Sequence, residues 1–173
     1  MPSRAGVVVL VEDVAQQNLI RRFLERCGST VVRWCPLAKS VGGSGTKYVV
    51  DQFPEELRWA KGRTAATLLV VMTDADNLST AQRRAQLGNV AADDPVAILI
   101  PKRHVETWLG ALNNQAVDEQ TNYHTHTSQF SSVAEIRAAA LALFAITRPN
   151  QPVPKAVSNL ASLLASLPEW RKI

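Results

Sequence analysis

Four short apolar runs, each followed by a segment of helical periodicity, constrain the fold of this chain more than any other feature. Continuous β-branched runs of this length are typical of strands buried on both faces. Strands that alternate with helices predict an α/β fold, in which a mainly parallel four-stranded sheet is flanked by helices. The runs are 6–11 (GVVVLV), 30–35 (TVVRWC), 67–73 (TLLVVMT) and 96–100 (VAILI).

Capping residues and apolar periodicity delimit the helices between these strands. Residues 1–113 are expected to form one α/β domain. Residues 114–173 are expected to add a loop and a C-terminal helical extension packed on the same domain. The helices are expected at 13–28, 48–53, 54–62, 79–91, 104–112, 132–148 and 155–167, with a polar loop over 113–131.

Composition and cysteine usage predict a soluble cytoplasmic protein. The chain is 46% hydrophobic and 20% charged, which is ordinary for a globular domain. It has no apolar run of the ~20 residues that span a bilayer, and its start lacks a signal-peptide pattern. Cys27 and Cys35 do not suggest a disulfide framework. A net charge of +4 is compatible with a nucleic-acid partner, and no membrane partner is expected.

Acidic residues follow two of the predicted strands directly. Glu12 and Asp13 come after the first strand, and Asp74 and Asp76 after the third. Because the carboxyl ends of parallel strands meet at one edge of a sheet, these carboxylates are expected to lie close together. Close carboxylates repel one another unless a hard cation lies between them. The pattern therefore predicts a Mg²⁺ site, with Mn²⁺ as a possible substitute.

An acidic pair after a first strand is also found in phosphorylated receiver domains. A receiver needs a phosphate-accepting Asp after its third strand and a Lys after its fifth. In this chain Asp74 and Asp76 come later than a compact receiver would place its acceptor, and Lys102 follows the fourth strand. The receiver interpretation is therefore disfavoured.

The segments VVVLVE, ending at Glu12, and LLVVMTDAD, containing Asp74 and Asp76, resemble the motifs of the Toprim fold. That fold is shared by topoisomerases, bacterial primases and small or defence-associated nucleases. The segment ILIPKRHVETW (98–108) is similar to the strand and acidic helix of stand-alone bacterial Toprim-like proteins. The resemblance covers about residues 6–112 and implies that the α/β domain expected over residues 1–113 is Toprim-like.

The resemblance implies that Asp74 and Asp76 hold Mg²⁺, and that Glu12 is a ligand or the general acid/base. It implies a nuclease or nicking enzyme that acts with a partner protein, such as an ATPase, in a bacterial defence or DNA-processing complex. Many Toprim members have another acid a few residues after the glutamate. Here either Asp13 replaces it or a second metal site is absent. The alternative function is a catalytically silent module for assembly or sensing.

Other residues are candidates with two interpretations each. Glu106 is either a further metal ligand or a solvated acid. Lys102, Arg103 and His104 follow the fourth strand, where they could contact a scissile phosphate; Lys102 and His104 are also the catalytic candidates. The alternative is that these basic residues simply lie in a solvated turn or on the solvated face of a helix. The candidate nucleic-acid contacts are Lys102, Arg103, Arg83, Arg84 and Lys47, the last in the segment GGSGTK, which is expected to be a flexible linker or substrate-side loop.

The pair His124 and His126, in the polar segment NYHTHT, is the remaining candidate for metal binding. An isolated H-x-H pair in a polar loop is usually exposed, so these histidines are expected to face solvent.

Overall fold

Four parallel strands form a single sheet in the computed structural model, which describes residues 6–42 and 44–173. The strand order is β2-β1-β3-β4, and every neighbouring pair is parallel. This arrangement confirms the predicted α/β class and the parallel sheet. The strands are β1 (Gly6–Val11), β2 (Val31–Trp34), β3 (Thr67–Met72) and β4 (Val96–Leu99).

Helices cover both faces of this sheet. No helix in the described ranges has the length and apolar character needed to cross a membrane. Short 3-10 turns occur at Ala38–Val41 and His124–His126. The α-helices are α1 (Val14–Cys27), α2 (Gly45–Lys61), α3 (Thr80–Gln86), α4 (Val105–Leu112), α5 (Thr127–Phe130), α6 (Val133–Thr147), α7 (Lys155–Ser158) and α8 (Ala161–Trp170).

Alternation along the strands divides the core into two layers. In β1, Val7, Val9 and Val11 face one layer, and Val8 and Leu10 face the other, because successive side chains point to opposite faces. The first layer is covered by α1, α4, α6, α7 and α8, and the second mainly by α2. The C-terminal helices therefore share a hydrophobic core with α1 and the sheet.

The expected break at Pro54 is wrong, because α2 continues through this proline as one helix. Proline removes a backbone donor and normally interrupts a helix. Here the buried residues Val49, Phe53, Leu57 and Ala60 lie at helical spacing on both sides of Pro54, whose own side chain is exposed. Burial of this continuous apolar face offsets the lost hydrogen bond.

Two further helix boundaries differ from the expectation. The helix after β3 was expected to reach residue 91 but ends at Gln86, since Gly88 has a positive φ of 90°. The last expected helix, 155–167, is divided into α7 and α8. The division occurs at Leu160, which is extended and fully buried. The expected loop 113–131 also contains α5.

The outer edge of β4 is covered by side chains of α8 and the residues that follow it. The backbone N–H of Ile98 donates to Oε2 of Glu169 at 2.9 Å. Nζ of Lys172 donates to the carbonyl of Val96 at 3.3 Å. These contacts satisfy backbone groups that an edge strand would otherwise present to another strand.

Candidate functional site

Glu12 and Asp74 meet where β1 and β3 end side by side. The register pairs Val11 with Met72, so the acids that follow these strands reach the same edge. Oε1 of Glu12 accepts a hydrogen bond from the backbone N–H of Asp74 at 3.0 Å and another from the hydroxyl of Thr73. The predicted adjacency of the first and third strands is confirmed.

Gln16, in the first turn of α1, links the two acids. Its Nε2 donates to Oδ1 of Asp74 at 2.9 Å, and its Oε1 accepts from the backbone N–H of Glu12 at 3.0 Å. Asp13 caps the same helix and accepts from the backbone N–H of Gln16 at 2.9 Å. Gln16 and Asp74 are buried, so this part of the edge is fixed by packing as well as by hydrogen bonds.

Asp76 is held by Arg83, which lies in the last turn of α3. Its φ of 52° is unusual for a residue other than glycine, and such conformations are concentrated at functional sites. Nη2 of Arg83 donates to Oδ2 of Asp76 at 3.0 Å, and Nε donates to the carbonyl of Asp74 at 2.8 Å. The expectation that Arg83 lies on a solvated helix face is therefore wrong, since its side chain is buried among these acceptors.

The beginning of α2 closes the other side of the acids. Oγ1 of Thr46 donates to Oε1 of Glu12 at 3.1 Å and lies 3.5 Å from Oδ2 of Asp76. A Cβ on Gly45 would lie 2.9 Å from Cβ of Glu12, so only glycine allows this close approach. Gly45 and Thr46, from the segment expected to be a flexible linker or a substrate-side loop, form the first turn of a helix at the site.

His104 faces both aspartates. Its Nδ1 lies 3.4 Å from Oδ2 of Asp74 and 3.6 Å from Oδ1 of Asp76. Burial lowers the pKa of His104 below its ordinary value, although Asp76 acts in the opposite direction. We call the carboxyl edge of the sheet where Glu12, Asp74 and Asp76 meet the acidic edge. The imidazole of His104 is thus placed to exchange a proton with the carboxylates of this edge.

Glu106 is buried, which excludes the interpretation of a solvated acid. Neither carboxylate oxygen has a hydrogen-bond partner within the described residues. Nδ1 of His124 lies 3.3 Å from Oε1 of Glu106, outside hydrogen-bond geometry, and the His124 ring lies 5.2 Å from that of His104. His124 is about half exposed, as expected for this loop, but it also reaches the acids.

Burial and mutual repulsion destabilise the ionised forms of the acids at this edge. Burial raises the pKa of Asp74 well above its usual range, and the negative charges of Glu12, Asp13, Glu106 and Asp76 add to this effect. Burial also raises the pKa values of Glu12 and Glu106. A bound divalent cation would offset the repulsion, and Mg²⁺ prefers such oxygen donors.

The donor chemistry of the edge therefore fits Mg²⁺, but the side chains do not form a ready-made cage. Across residues 6–42 and 44–173, no group of three or more His, Cys, Asp or Glu side chains is arranged to hold a metal ion. Oε1 of Glu12 accepts hydrogen bonds from Thr46, Thr73 and Asp74, and Asp76 is paired with Arg83. Metal binding would require side chains to exchange some of these partners.

The remaining basic candidates contact protein atoms. Nζ of Lys102 donates to the carbonyl of Leu78, and Nη1 of Arg103 donates to Asn77, so both hold the loop after β3. Lys47 pairs with an acid one turn along α2 and stays largely exposed. Arg84 lines a cleft between α3 and α8.

Sequence reasoning missed three residues that complete the edge: Gln16, Thr46 and Thr73. His124, a metal-binding candidate that was expected to face solvent, also lies beside the acids. Thr73 directly precedes the D-x-D pair at the end of β3, a position from which it could have been identified. Gln16 and Thr46 reach the acids only through packing. Comparisons of the chain with protein-family models, curated proteins and solved structures gave no match.

Proposed function

We propose that this protein is a Toprim-like, Mg²⁺-dependent nuclease or nicking enzyme that cleaves phosphodiester bonds of nucleic acid. The observation that carries the proposal is the convergence of Glu12, Asp74 and Asp76 at the carboxyl edge of two adjacent parallel strands. Ligands of open α/β sheets bind at this edge. The strand order is compatible with a Toprim-like layout.

The residues have distinct proposed roles. Asp74 and Asp76 would hold Mg²⁺, with Asp13 and Glu106 as further acids close to Asp74. When bound, the ion would neutralise charge that develops on the phosphate. Glu12, whose pKa is raised by burial, would act as a ligand or as the general acid/base.

The two basic catalytic candidates contribute differently. His104 faces the aspartates, so its imidazole is placed to transfer a proton at Nδ1. Lys102 donates to the carbonyl of Leu78 and thereby positions the loop that follows Asp76. The bacterial defence or DNA-processing complex and its partner protein are part of the same proposal, and they derive from the sequence resemblance. A cytoplasmic location is also proposed, on the grounds of composition and cysteine usage.

Cleavage assays test this function directly. Supercoiled plasmid, single-stranded DNA and RNA are incubated with the protein in Mg²⁺, Mn²⁺ or chelator. Wild-type cleavage should require metal, and Glu12→Gln and Asp74→Asn should each lower its rate by about a hundredfold or more. Glu55→Gln is the matched control, because it removes an exposed carboxylate of α2. Absence of cleavage with every substrate and metal would contradict the proposal.

A second candidate is a catalytically silent module for assembly or sensing. The closed hydrogen-bond network around Glu12 and the Arg83–Asp76 pair favour it, because these acids have partners without a metal. Exposed Val133 and Leu141 on α6 would then belong to the docking surface. Calorimetric titration with Mn²⁺ separates the two functions. Equal heats for wild type and an Asp74→Ala/Asp76→Ala variant would favour the silent module.

A further inference from the structure

Two tryptophans lie at or beside the outer strand β2, each with an arginine guanidinium over its ring. Cζ of Arg21 lies 5.0 Å from the ring centroid of Trp34. Cζ of Arg33 and of Arg63 lie 5.3 and 4.6 Å from the ring centroid of Trp59. Both indoles are half-buried, and all three arginines are exposed. We call these five residues the arginine–tryptophan edge.

The arginine–tryptophan edge follows the outer strand β2 and extends around both sides of the sheet. Arg33 and Trp34 are successive strand residues, so their side chains point to opposite faces. Trp34 pairs with Val9, which precedes Glu12 on the neighbouring strand by about 10 Å at the usual rise per residue. One end of this surface is therefore close to the acidic edge.

The guanidinium groups remain available to an anion. Nη2 of Arg33 is anchored by the buried carboxylate of Glu56 at 2.9 Å. Arg21 and Arg63 rest on indole faces with their outer sides toward solvent. A guanidinium in this arrangement keeps its charge, offers planar donors to phosphate and can stack on a base. Aromatic rings add a second stacking surface that tolerates any base.

We propose that the arginine–tryptophan edge binds a single strand of nucleic acid and leads it toward the acidic edge. The inference deepens the proposed function and rests on it for the choice of nucleic acid as the partner. Charge complementarity and stacking both favour this occupant, since unpaired bases expose their faces and a duplex does not. Three of the basic residues expected from the sequence, Arg83, Lys102 and Arg103, are engaged by protein atoms, whereas the arginines of this surface are exposed.

Binding is measured without cleavage, by fluorescence anisotropy of a labelled oligodeoxythymidine in chelator. The variant Arg21→Gln/Arg63→Gln should bind roughly tenfold more weakly at low salt. Its plot of log affinity against log salt should be less steep by about 1.4, because each phosphate contact to a single strand contributes about 0.7. Arg33 is left in place, since its loss would strand the buried Glu56.

The control variant Arg137→Gln/Arg148→Gln removes the same charge from exposed positions at α6. One of its arginines also stacks on a ring, with Cζ of Arg148 4.9 Å from the Phe144 centroid. This control should bind within about twofold of wild type if position, and not net charge alone, governs affinity. Thermal denaturation, with circular dichroism as the readout, verifies that every variant is folded.

Several outcomes would overturn the inference. These are no binding by wild type, equal losses in the two double variants, or equal affinity for duplex and single strand. A labelled oligouridine measured in parallel distinguishes RNA from DNA. Binding that depends on Arg21 and Arg63 without any cleavage would support this surface and contradict the nuclease. If cleavage requires Glu12 but Arg21→Gln/Arg63→Gln binds normally, the nuclease is supported and the role of this surface is contradicted.

Discussion

Asp74 is 3% exposed, and its carboxylate accepts a hydrogen bond from Gln16 and faces the imidazole of His104 with its other oxygen. Among the residues that the structure describes, no lysine or arginine side chain pairs with this carboxylate. Its ionised form is therefore destabilised by burial and by the acids around it. This cost makes Asp74 a sensitive probe of whether a cation binds at the edge.

Asp74→Asn should stabilise the protein in metal-free solution. Asparagine keeps an acceptor for Gln16 and removes the charge. An unfolded aspartate ionises near pH 3.8, while the folded carboxyl has a raised pKa, so the wild type loses stability as pH rises through this window. The melting temperature of the variant should thus match wild type at about pH 3.8 and exceed it by roughly 2–4 °C near neutrality.

Glu55→Gln serves as the control for Asp74→Asn, because Glu55 is an exposed acid on α2 and its removal should leave the melting temperature nearly unchanged. Mg²⁺ should then raise the melting temperature of wild type but not that of Asp74→Asn, since a ligand stabilises only the state that binds it. If Asp74→Asn melts at a lower temperature than wild type at neutral pH without metal, the charge of Asp74 does not destabilise the folded protein.

The sequence identified the site residues that directly follow a strand. Glu12, Asp74 and Asp76 each follow an apolar strand, and parallel neighbours necessarily bring such positions together. The sequence did not identify Thr46, and it named His124 as a candidate without its partner Glu106, because each reaches the acids from a polar segment whose path depends on tertiary packing. Their positions follow from the docking of whole elements.

Helix α2 is the element that closes the acidic edge, and Gly45 sets how closely it approaches. Gly45→Ala should displace the first turn of α2, because the new Cβ would lie 2.9 Å from Cβ of Glu12. The expected loss of stability is about 1–3 kcal/mol, the usual cost of overpacking. Equilibrium urea unfolding measures it, and Mn²⁺ affinity should fall in parallel because Thr46 and Glu12 move together.

Gly62→Ala, at the other end of α2, is the matched control. Gly62 has a φ of −78°, and an added Cβ would have its nearest contact at 3.4 Å. Alanine there should be neutral or stabilise by about 0.4–1 kcal/mol through the unfolded chain. Equal stability of the Gly45→Ala and wild-type proteins would mean that the close approach of α2 to Glu12 is not required.

Element type was easier to predict than element extent. The apolar runs predicted every strand of the sheet. For β1, β3 and β4, burial on both faces leaves few alternatives for such segments. Local rules placed a break at Pro54, where the continuous buried face of α2 overrides the lost backbone donor. They also missed the end of α3 before Gly88, whose positive φ terminates the helix.

At the scale of the whole molecule, α8 and the residues that follow it protect the outer edge of β4. Glu169→Ala/Lys172→Ala should expose the N–H of Ile98 and the carbonyl of Val96 to a neighbouring molecule. We expect the variant to self-associate with increasing concentration, because an unprotected edge strand pairs with other strands. Size-exclusion chromatography with light scattering measures the mass of each species.

The control is Arg22→Ala/Glu25→Ala, which removes an ion pair of 3.0 Å from the surface of α1. Both variants lose one acid and one base, so their net charges are equal. Self-association of both variants, or of neither, would mean that the contacts of Glu169 and Lys172 do not protect the β4 edge.

The protection of β4 also has a consequence for synthesis on the ribosome. Glu169 lies 71 positions after its partner Ile98, and Lys172 lies 76 positions after Val96. At a translation rate of about 5–20 residues per second, β4 is complete for roughly 4–15 s before these side chains exist. During that interval nascent chains on neighbouring ribosomes present the same unpaired strand to each other. We expect a chaperone that shields extended segments to raise the yield of native monomer.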